Sequence, residues 1–287
     1  MRRIIVNADD FGRHPLINQA VAQAVETGFL RSATLMPGGK AFDGAVEVAR
    51  THKELGIGVH FTLVNGFPVL PPEEIPSLVT TEGVFYDTHN IFVKRFLTGK
   101  VSMDEVRREL AAQMEKMMRT GLTLTHIDSH QHMHTLPGII DAALDVAYKA
   151  GIRAARVPVI DLFCGDEMSP GQLIGRLGLG TLARIARHKA HKRGMKMPDT
   201  FAGIVAGEAV SEKYLREMTE SMPEGTTEVM LHPGTDNHVL VPACEWDHDF
   251  EEELRAVTSK ATMQLLKDRN IEIGNFRDLY DLENVNS

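Results

Sequence analysis

Short apolar runs alternate with helical hydrophobic patterns along nearly the whole of this 287-residue chain. Segments between the runs repeat apolar residues at helical spacing, as from Pro15 to Phe29. The strand-like runs are RIIVNA, SATLMPGG, GIGVHFTL, LTLTHIDSH, ARVPVI, TFAGIV, TEVMLHP and IEIGNF. This alternation predicts an α/β fold with parallel strands. Because no G-x-G-x-x-G follows the first run, we favour a (β/α) barrel-like fold, TIM-type or a distorted or incomplete version of it.

The chain shows no repeat of fixed period and no low-complexity linker, so we expect one domain over residues 1–287. Two stretches interrupt the strand–helix rhythm: 64–92, rich in proline and glycine, and 162–198, which is basic. Loops of this length are uncommon in a compact domain and are often functional. We therefore predict that both are elaborations at the mouth of the barrel.

Composition excludes several classes of protein. Two cysteines are too few for a disulfide framework, and a net charge of −8 argues against general nucleic-acid binding. The amino terminus, MRRIIVNADD, lacks the apolar core of a signal peptide, and no run approaches the ~20 apolar residues that cross a membrane. We expect a cytoplasmic protein, and the sequence leaves its oligomeric state open, a homo-oligomer included.

Polar clusters occur where four of the apolar runs end. Asp9 and Asp10 follow RIIVNA, His60 lies in GVHFTL, HIDSHQHMH spans 126–134, and His232 follows TEVML. The carboxyl ends of parallel strands meet on one face of such a fold, where functional sites are built. We therefore expect these carboxylates and imidazoles to converge.

Two imidazoles and one carboxylate form a normal ligand set for a divalent ion. Adjacent Asp9 and Asp10 could not both be ionised comfortably in a cleft without a cation, and a metal on one leaves the other free to act as a base. Each cluster also has a plainer interpretation, since an Asp pair can cap a helix and a histidine tract can bind metal adventitiously. Pattern alone leaves both interpretations open.

Five motifs in this order resemble the YdjC-like carbohydrate deacetylases, the family of chitooligosaccharide deacetylase: VNADDFG, IGVHFTL, HIDSHQHMH, VMLHPG and IEIGNFRDL. The resemblance extends from about residue 3 to 280. The segment NGFPVLPPEEIPSLV is more similar to the branch associated with hopanoid biosynthesis, which acts on an N-acetylglucosaminyl lipid.

The resemblance implies a site with one divalent metal ion, magnesium or zinc, held by three side chains. The second acid of ADDFG is a ligand in the family and corresponds to Asp10. The histidine of the G-x-H-F strand corresponds to His60, and the histidine directly after Asp-Ser corresponds to His130.

The resemblance also assigns catalytic roles. Asp9 would be the general base, His232 the general acid or the group that stabilises the oxyanion, and Arg156 an arginine that orients the base. The neighbouring His126, His132 and His134 would support the ligands or face the substrate. The implied activity is hydrolysis of the N-acetyl group of a chitooligosaccharide or an N-acetylglucosaminyl lipid by water that the metal activates.

Alternative functions are another mononuclear metal hydrolase on this scaffold, either an amidohydrolase or a phosphoesterase, and a non-catalytic protein that binds sugar or lipid. A two-metal phosphoesterase would need more acids at strand ends than the sequence offers.

The stretch 173–197 could cover the barrel as a solvated helix or dock on an anionic membrane. It contains no acid and seven basic residues: Arg176, Arg184, Arg187, Lys189, Lys192, Arg193 and Lys196.

Overall fold

The computed structural model describes residues 1–158, 170–204 and 209–281. Within these residues all paired strands are parallel, and the sheet order is β4-β3-β2-β1-β6-β5, with β7 beside the start of β1. The strands are β1 (Arg2–Phe11), β2 (Ser32–Leu35), β3 (Gly56–Phe61), β4 (Leu124–Ser129), β5 (Thr200–Ala202), β6 (Gly225–Leu231) and β7 (Ile271–Ile273). Helices surround this sheet, which confirms the predicted (β/α) barrel-like fold in a distorted form.

The two edges of the sheet are joined through isolated bridges and a short segment of chain. Ile127 of β4 pairs with Ala155, and Ala154 pairs in turn with Lys196. A few residues later, Thr200 of β5 pairs with Thr227 of β6. The ring of strands is therefore completed by single bridges instead of full strands, and this is the source of its distortion.

Helices and short 3-10 turns connect the strands. In the described residues no helix is both long enough and apolar enough to cross a lipid bilayer. The helices are α1 (Pro15–Thr27), α2 (Phe42–Thr51), α3 (His89–Leu97), α4 (Met103–Arg119), α5 (Ile139–Lys149), α6 (Pro170–Lys192), α7 (Glu212–Ser221), α8 (Asn237–Cys244), α9 (Phe250–Thr258), α10 (Lys260–Asp268) and α11 (Asp278–Asp281). The 3-10 turns are Pro72–Glu74 and His130–Thr135.

Alternation along β1 separates the packing core from the barrel interior. Ile4, Val6 and Ala8 belong to the large apolar core shared with the helices. Ile5 belongs to a separate small cluster with Ala154, Phe276 and Leu279, which packs inside the ring near the start of β1. Because successive side chains of a strand point to opposite faces, Asn7 and Asp9 share the inward face with Ile5.

Two of the strand predictions were wrong in extent. ARVPVI contributes only the bridge at Ala155 within its described residues, and its last two residues lie outside the described part of the chain. Pro158 lacks an N–H and restricts the backbone of the residue before it, which disfavours a longer strand. The run TFAGIV forms a strand only over Thr200–Ala202, and Gly203 follows with φ of 103°, a conformation outside the β region.

The stretch 162–198 is largely helical, since α6 covers Pro170–Lys192, while residues 162–169 lie outside the described part. Two of its basic residues form ion pairs with acids of α5. The Lys189 ammonium lies 2.6 Å from Asp141 of α5, and the Arg193 guanidinium contacts Asp141 at 3.1 Å and Asp145 at 3.0 Å. Part of the positive charge therefore docks α6 on α5.

The 64–92 stretch begins at the carboxyl end of β3 and is fixed by acids of α4. The buried Glu109 carboxylate accepts the backbone N–H groups of Val69 and Leu70 at 2.8 and 3.0 Å. Glu105 accepts the N–H of Ser77 at 2.7 Å. These contacts hold the loop over the end of the barrel where the polar clusters lie.

Candidate metal centre

A β-bulge at the end of β1 directs both of its acids toward one centre. Ala8 pairs with Ala33 and Phe11 with Leu35, so three steps along β1 match two along β2. Asp10 lies in this bulge with φ of 58°, in the left-handed region. Without the bulge, neighbouring residues of a strand would point to opposite faces. The bulge therefore allows Asp9 to stay inside the ring while Asp10 faces the same cleft.

Asp10, His60 and His130 lie together, and one potential ligand atom from each falls within 4.8 Å of the others. The Asp10 Oδ1 atom is 3.3 Å from His60 Nε2 and 2.8 Å from His130 Nδ1. All three residues are buried. The structure thus brings together, at the ends of β1, β3 and β4, the three residues that the family resemblance implies as ligands.

The donor atoms of this cluster fit a divalent cation. Asp10 Oδ1 and His60 Nε2 are buried and have no hydrogen-bond partner among the described residues, although such atoms are nearly always satisfied. The other nitrogen of His60, Nδ1, lies 2.7 Å from Asp128 Oδ1. A carboxylate on the outer nitrogen is the usual way to orient a ligating imidazole. The cluster could therefore bind a metal ion, and two imidazole nitrogens with one carboxylate oxygen suit zinc better than magnesium, which prefers oxygen ligands.

Electrostatics at the cluster favour positive charge. Burial lowers the pKa of His60, but the Asp128 carboxylate, with its hydrogen bond to Nδ1, and the nearby Asp10 and Asp9 carboxylates raise it to about 10. Burial raises the pKa of Asp10, yet the His130 and Arg13 charges hold it well below its usual value. A cation on the Asp10 and His60 donors would replace a proton, because ligating imidazoles are neutral.

Arg156 is completely buried and joins acids from three strands. Its guanidinium makes two hydrogen bonds with Asp9, at 2.5 and 2.7 Å, and contacts Asp128 at 2.7 Å and Glu228 at 2.6 Å. Burial raises the pKa of Asp9, but Arg156 outweighs it and the net shift is downward. The pKa of Glu228 rises to about 7 because burial outweighs the attraction of Arg156. Asp9 is therefore an oriented, ionised carboxylate beside the cluster.

His232 follows β6 and is within electrostatic reach of both aspartates. Burial lowers its pKa, while the negative charges of Asp9, Glu253 and Asp10 act in the opposite direction. Its ring lies edge-on to Trp246, with ring centres 4.9 Å apart.

The other three histidines have distinct surroundings. His126 stacks on Phe276 with ring centres 3.6 Å apart, inside the barrel, and burial lowers its pKa to about 3. His134 is held between the Ser129 hydroxyl, at 2.5 Å, and the carbonyl oxygen of Arg156, at 2.9 Å. His134 therefore supports the loop after β4, and His126 packs below the cluster, so neither faces a cleft. His132 lies edge-on to Phe201 at 5.9 Å.

Arg13 is a site residue that the sequence analysis missed. Its guanidinium donates to Asp10 Oδ2 at 3.0 Å, lies 3.2 Å from His130 Nε2, and also donates to the side-chain oxygen of Asn65. The spacing of three residues from Asp10 is the only trace of this contact in the sequence. Glu228 was also missed, and Asp128 was included in the HIDSHQHMH cluster without a role, although both occupy inward positions of strands that end in the site.

A cavity of about 480 Å³ adjoins the cluster, with Arg13 in the wall between them. The 64–92 loop supplies Asn65, Phe67, Phe85 and Asp87 to its lining. The loop thus forms one wall of a cleft at the carboxyl end of the barrel. A cavity of this size is within the range of small-molecule sites.

The fold is a distorted (β/α) barrel, and a buried cluster of carboxylates and imidazoles lies at the ends of its strands. These two features place the protein among the barrel proteins with a potential cation site at the strand ends. The chain belongs to the YdjC-like protein family, whose model matches residues 3–268.

Individual relatives agree with this assignment. A carbohydrate deacetylase from Thermoanaerobacter pseudethanolicus is 29% identical over 96% of this chain and 98% of its own. A carbohydrate deacetylase from Geobacillus stearothermophilus is 36% identical over 66% of this chain and 80% of its own. A solved structure, a putative cellobiose-phosphate cleavage protein from Enterococcus faecalis V583, is 27% identical, covers 97% of this chain and 98% of its own, and superimposes with a TM-score of 0.73.

Proposed function

We propose that this protein removes the N-acetyl group from an N-acetylated sugar with the help of one divalent metal ion. The observation that carries the proposal is the buried Asp10–His60–His130 cluster with unpaired donor atoms beside an ionised Asp9. Relatives along nearly the full chain are named carbohydrate deacetylases, and this supports a sugar acetamide as the substrate.

Asp10, His60 and His130 would hold the ion, which supplies a Lewis acid and lowers the pKa of water toward ~7. Asp9, kept in place by two hydrogen bonds from Arg156, accepts a proton from the attacking water. His232 donates a proton to the departing amine, because an amine leaves far more easily neutral than as its anion. The products are acetate and a free amino sugar.

The adjoining cavity has features suited to a sugar ring. Phe67 lines this cavity and is 38% exposed. The Lys40 ammonium, also in the lining, lies 4.6 Å from the centre of the Phe67 ring. An exposed aromatic ring offers apolar area to the C–H face of a sugar, and charged groups beside it can bond to hydroxyls.

Replacing Phe67 with alanine should raise KM about tenfold with little change in kcat, which corresponds to the loss of about 1.4 kcal/mol of binding. Steady-state kinetics of acetate release from diacetylchitobiose would measure this. Leu97→Ala is a matched control, since Leu97 is exposed on α3 and does not line the cavity. An unchanged KM in Phe67→Ala would exclude the cavity as the sugar site.

The proposed reaction can be separated from its alternatives with a panel of substrates. We expect acetate release from diacetylchitobiose and no comparable turnover of 4-nitrophenyl phosphate or of an N-acetylated amino acid amide. Preferred turnover of the phosphate would favour a phosphoesterase, and preferred turnover of the peptide-like amide would favour an amidohydrolase. Sugar binding without any turnover would indicate a non-catalytic binding protein.

A second candidate substrate is an N-acetylated glycolipid, which the resemblance to the hopanoid branch suggests. The similarities reported above identify the family but not a branch within it. One observation favours a lipid surface: Arg184 and Lys192 of α6 are exposed, and so is the apolar Ile185, 44% exposed. Against it, Lys189 and Arg193 are occupied by acids of α5.

We expect no binding to anionic liposomes that depends on these residues, because Lys189 and Arg193 at the end of this segment are already paired with acids of α5. Co-sedimentation of the wild type and of an Arg184→Gln/Lys192→Gln variant, at low and high salt, would test this. Salt-sensitive binding by the wild type that the variant loses would shift the proposal to the glycolipid.

A further inference from the structure

We propose that Glu253 is a positioning residue for His232, holding its ring so that one nitrogen faces the departing amine. The inference rests on the proposed function, because it needs His232 to act as the proton donor. It concerns a residue that lies outside every motif singled out above.

The Glu253 carboxylate is fixed from two directions by the backbone. Glu253 lies in the first turn of α9 and is 2% exposed. Its Oε1 atom accepts the N–H of Val210 at 2.8 Å, and its Oε2 atom accepts the N–H of His232 itself. A carboxylate held by two backbone donors has little freedom to turn away. The Glu253 side chain therefore fixes the backbone of residue 232 and can also orient the imidazole rings that face its Oε2 atom.

The Oε2 atom of Glu253 faces two imidazoles. It lies 3.9 Å from Nδ1 of His232 and 3.3 Å from Nε2 of His248. A carboxylate beside Nδ1 stabilises the protonated ring and favours a proton on that nitrogen, which leaves Nε2 to face the substrate. The Trp246 ring packs against both histidines. It stacks on His248 with ring centres 3.9 Å apart and contacts the His232 ring edge-on with ring centres 4.9 Å apart. The ring is thus confined by packing as well as by charge.

His232, His248 and Glu253 are also a set of residues that could hold a metal ion, and the Nε2 atom of His248 has no hydrogen-bond partner among the described residues. We favour positioning because both oxygens of Glu253 already accept backbone N–H groups. The two interpretations differ in metal content, so the same experiment separates them.

The test compares an amide with an activated ester in Glu253→Gln. For diacetylchitobiose, kcat should fall about 10²-fold with KM within about twofold, since orienting groups of this kind contribute about 10- to 100-fold. For 4-nitrophenyl acetate, whose leaving group needs no proton, kcat should fall less than about threefold. The ester rate also shows that the variant is folded. Glu252→Gln, a partly exposed acid of the same helix turn that pairs with Arg255, is the matched control and should leave both rates unchanged.

A double variant adds a readout that a structural role would not produce. Because Glu253 acts through His232, the His232→Ala/Glu253→Gln enzyme should be no slower on the amide than His232→Ala alone. Equal losses on amide and ester, additive losses in the double variant, or no loss at all would each overturn the proposal. So would two tightly bound metal ions per wild-type chain that fall to one in Glu253→Gln. A wild type that releases no acetate from N-acetylated sugars would instead refute the proposed function itself.

Discussion

Replacing His60 or His130 with alanine should remove the bound metal and the deacetylase activity together. Each substitution takes one of three donors from a buried cluster whose ligand atoms lie within 4.8 Å of one another. Because the Lewis acid contributes several kcal/mol to the barrier, acetate release should fall by about 10³-fold or more. Elemental analysis of the purified protein should find one ion per wild-type chain and almost none in either variant.

The control for these variants is His191→Ala, which removes an exposed histidine of α6 far from the strand ends. It should keep both the metal and the activity. If His60→Ala or His130→Ala retained one tightly bound ion per chain, the assignment of the ligands would be wrong.

Replacing Asp9 with asparagine should preserve metal binding while reducing turnover by about 10²- to 10⁴-fold, the usual contribution of a general base. Asp9 also lies close enough to His60 and Asp128 to share an ion with them, but both of its oxygens already accept hydrogen bonds from Arg156. Asparagine has nearly the same shape, so it removes the basic oxygen with little change in volume. Arg156 keeps its contacts with Asp128 and Glu228.

Metal content and kcat, measured on the same preparations, would separate the roles of the two aspartates. Asp104→Asn, at a surface acid of α4 that pairs with Arg107, is the control and should change neither quantity. Loss of the metal in Asp9→Asn would mean that the roles of Asp9 and Asp10 are reversed.

The parallel sheet was predictable from the spacing of apolar residues along the chain. Continuous apolar runs indicate strands buried on both faces, and helical spacing indicates helices buried on one face. The predicted strands failed where local backbone chemistry decided the outcome. Pro158 limits the described part of the fifth run to one isolated bridge, and Gly203 ends β5 after three residues. Closure of the ring through Lys196 depends on pairing between distant segments, which no local pattern reveals.

Only the site residues that lie at the ends of strands could be predicted from the sequence. Asp10, His60 and His130 follow apolar runs, so their convergence can be inferred from a parallel fold. Asp128 and Glu228 lie within strands, where a polar residue in an alternating pattern normally indicates the solvent face. They face inward instead, because Arg156 compensates their charge from a third segment. The bulge at Asp10, which turns two neighbouring acids to one centre, leaves no mark in composition or period.

Acetate release from diacetylchitobiose by one enzyme preparation, before chelation, after chelation and after restoring zinc or magnesium, tests the central claim most directly. We expect turnover by the untreated enzyme, at least about 10³-fold less after the metal is removed, and recovery when about one equivalent of ion per chain is returned. Undiminished acetate release from protein that elemental analysis shows to be free of metal would contradict it.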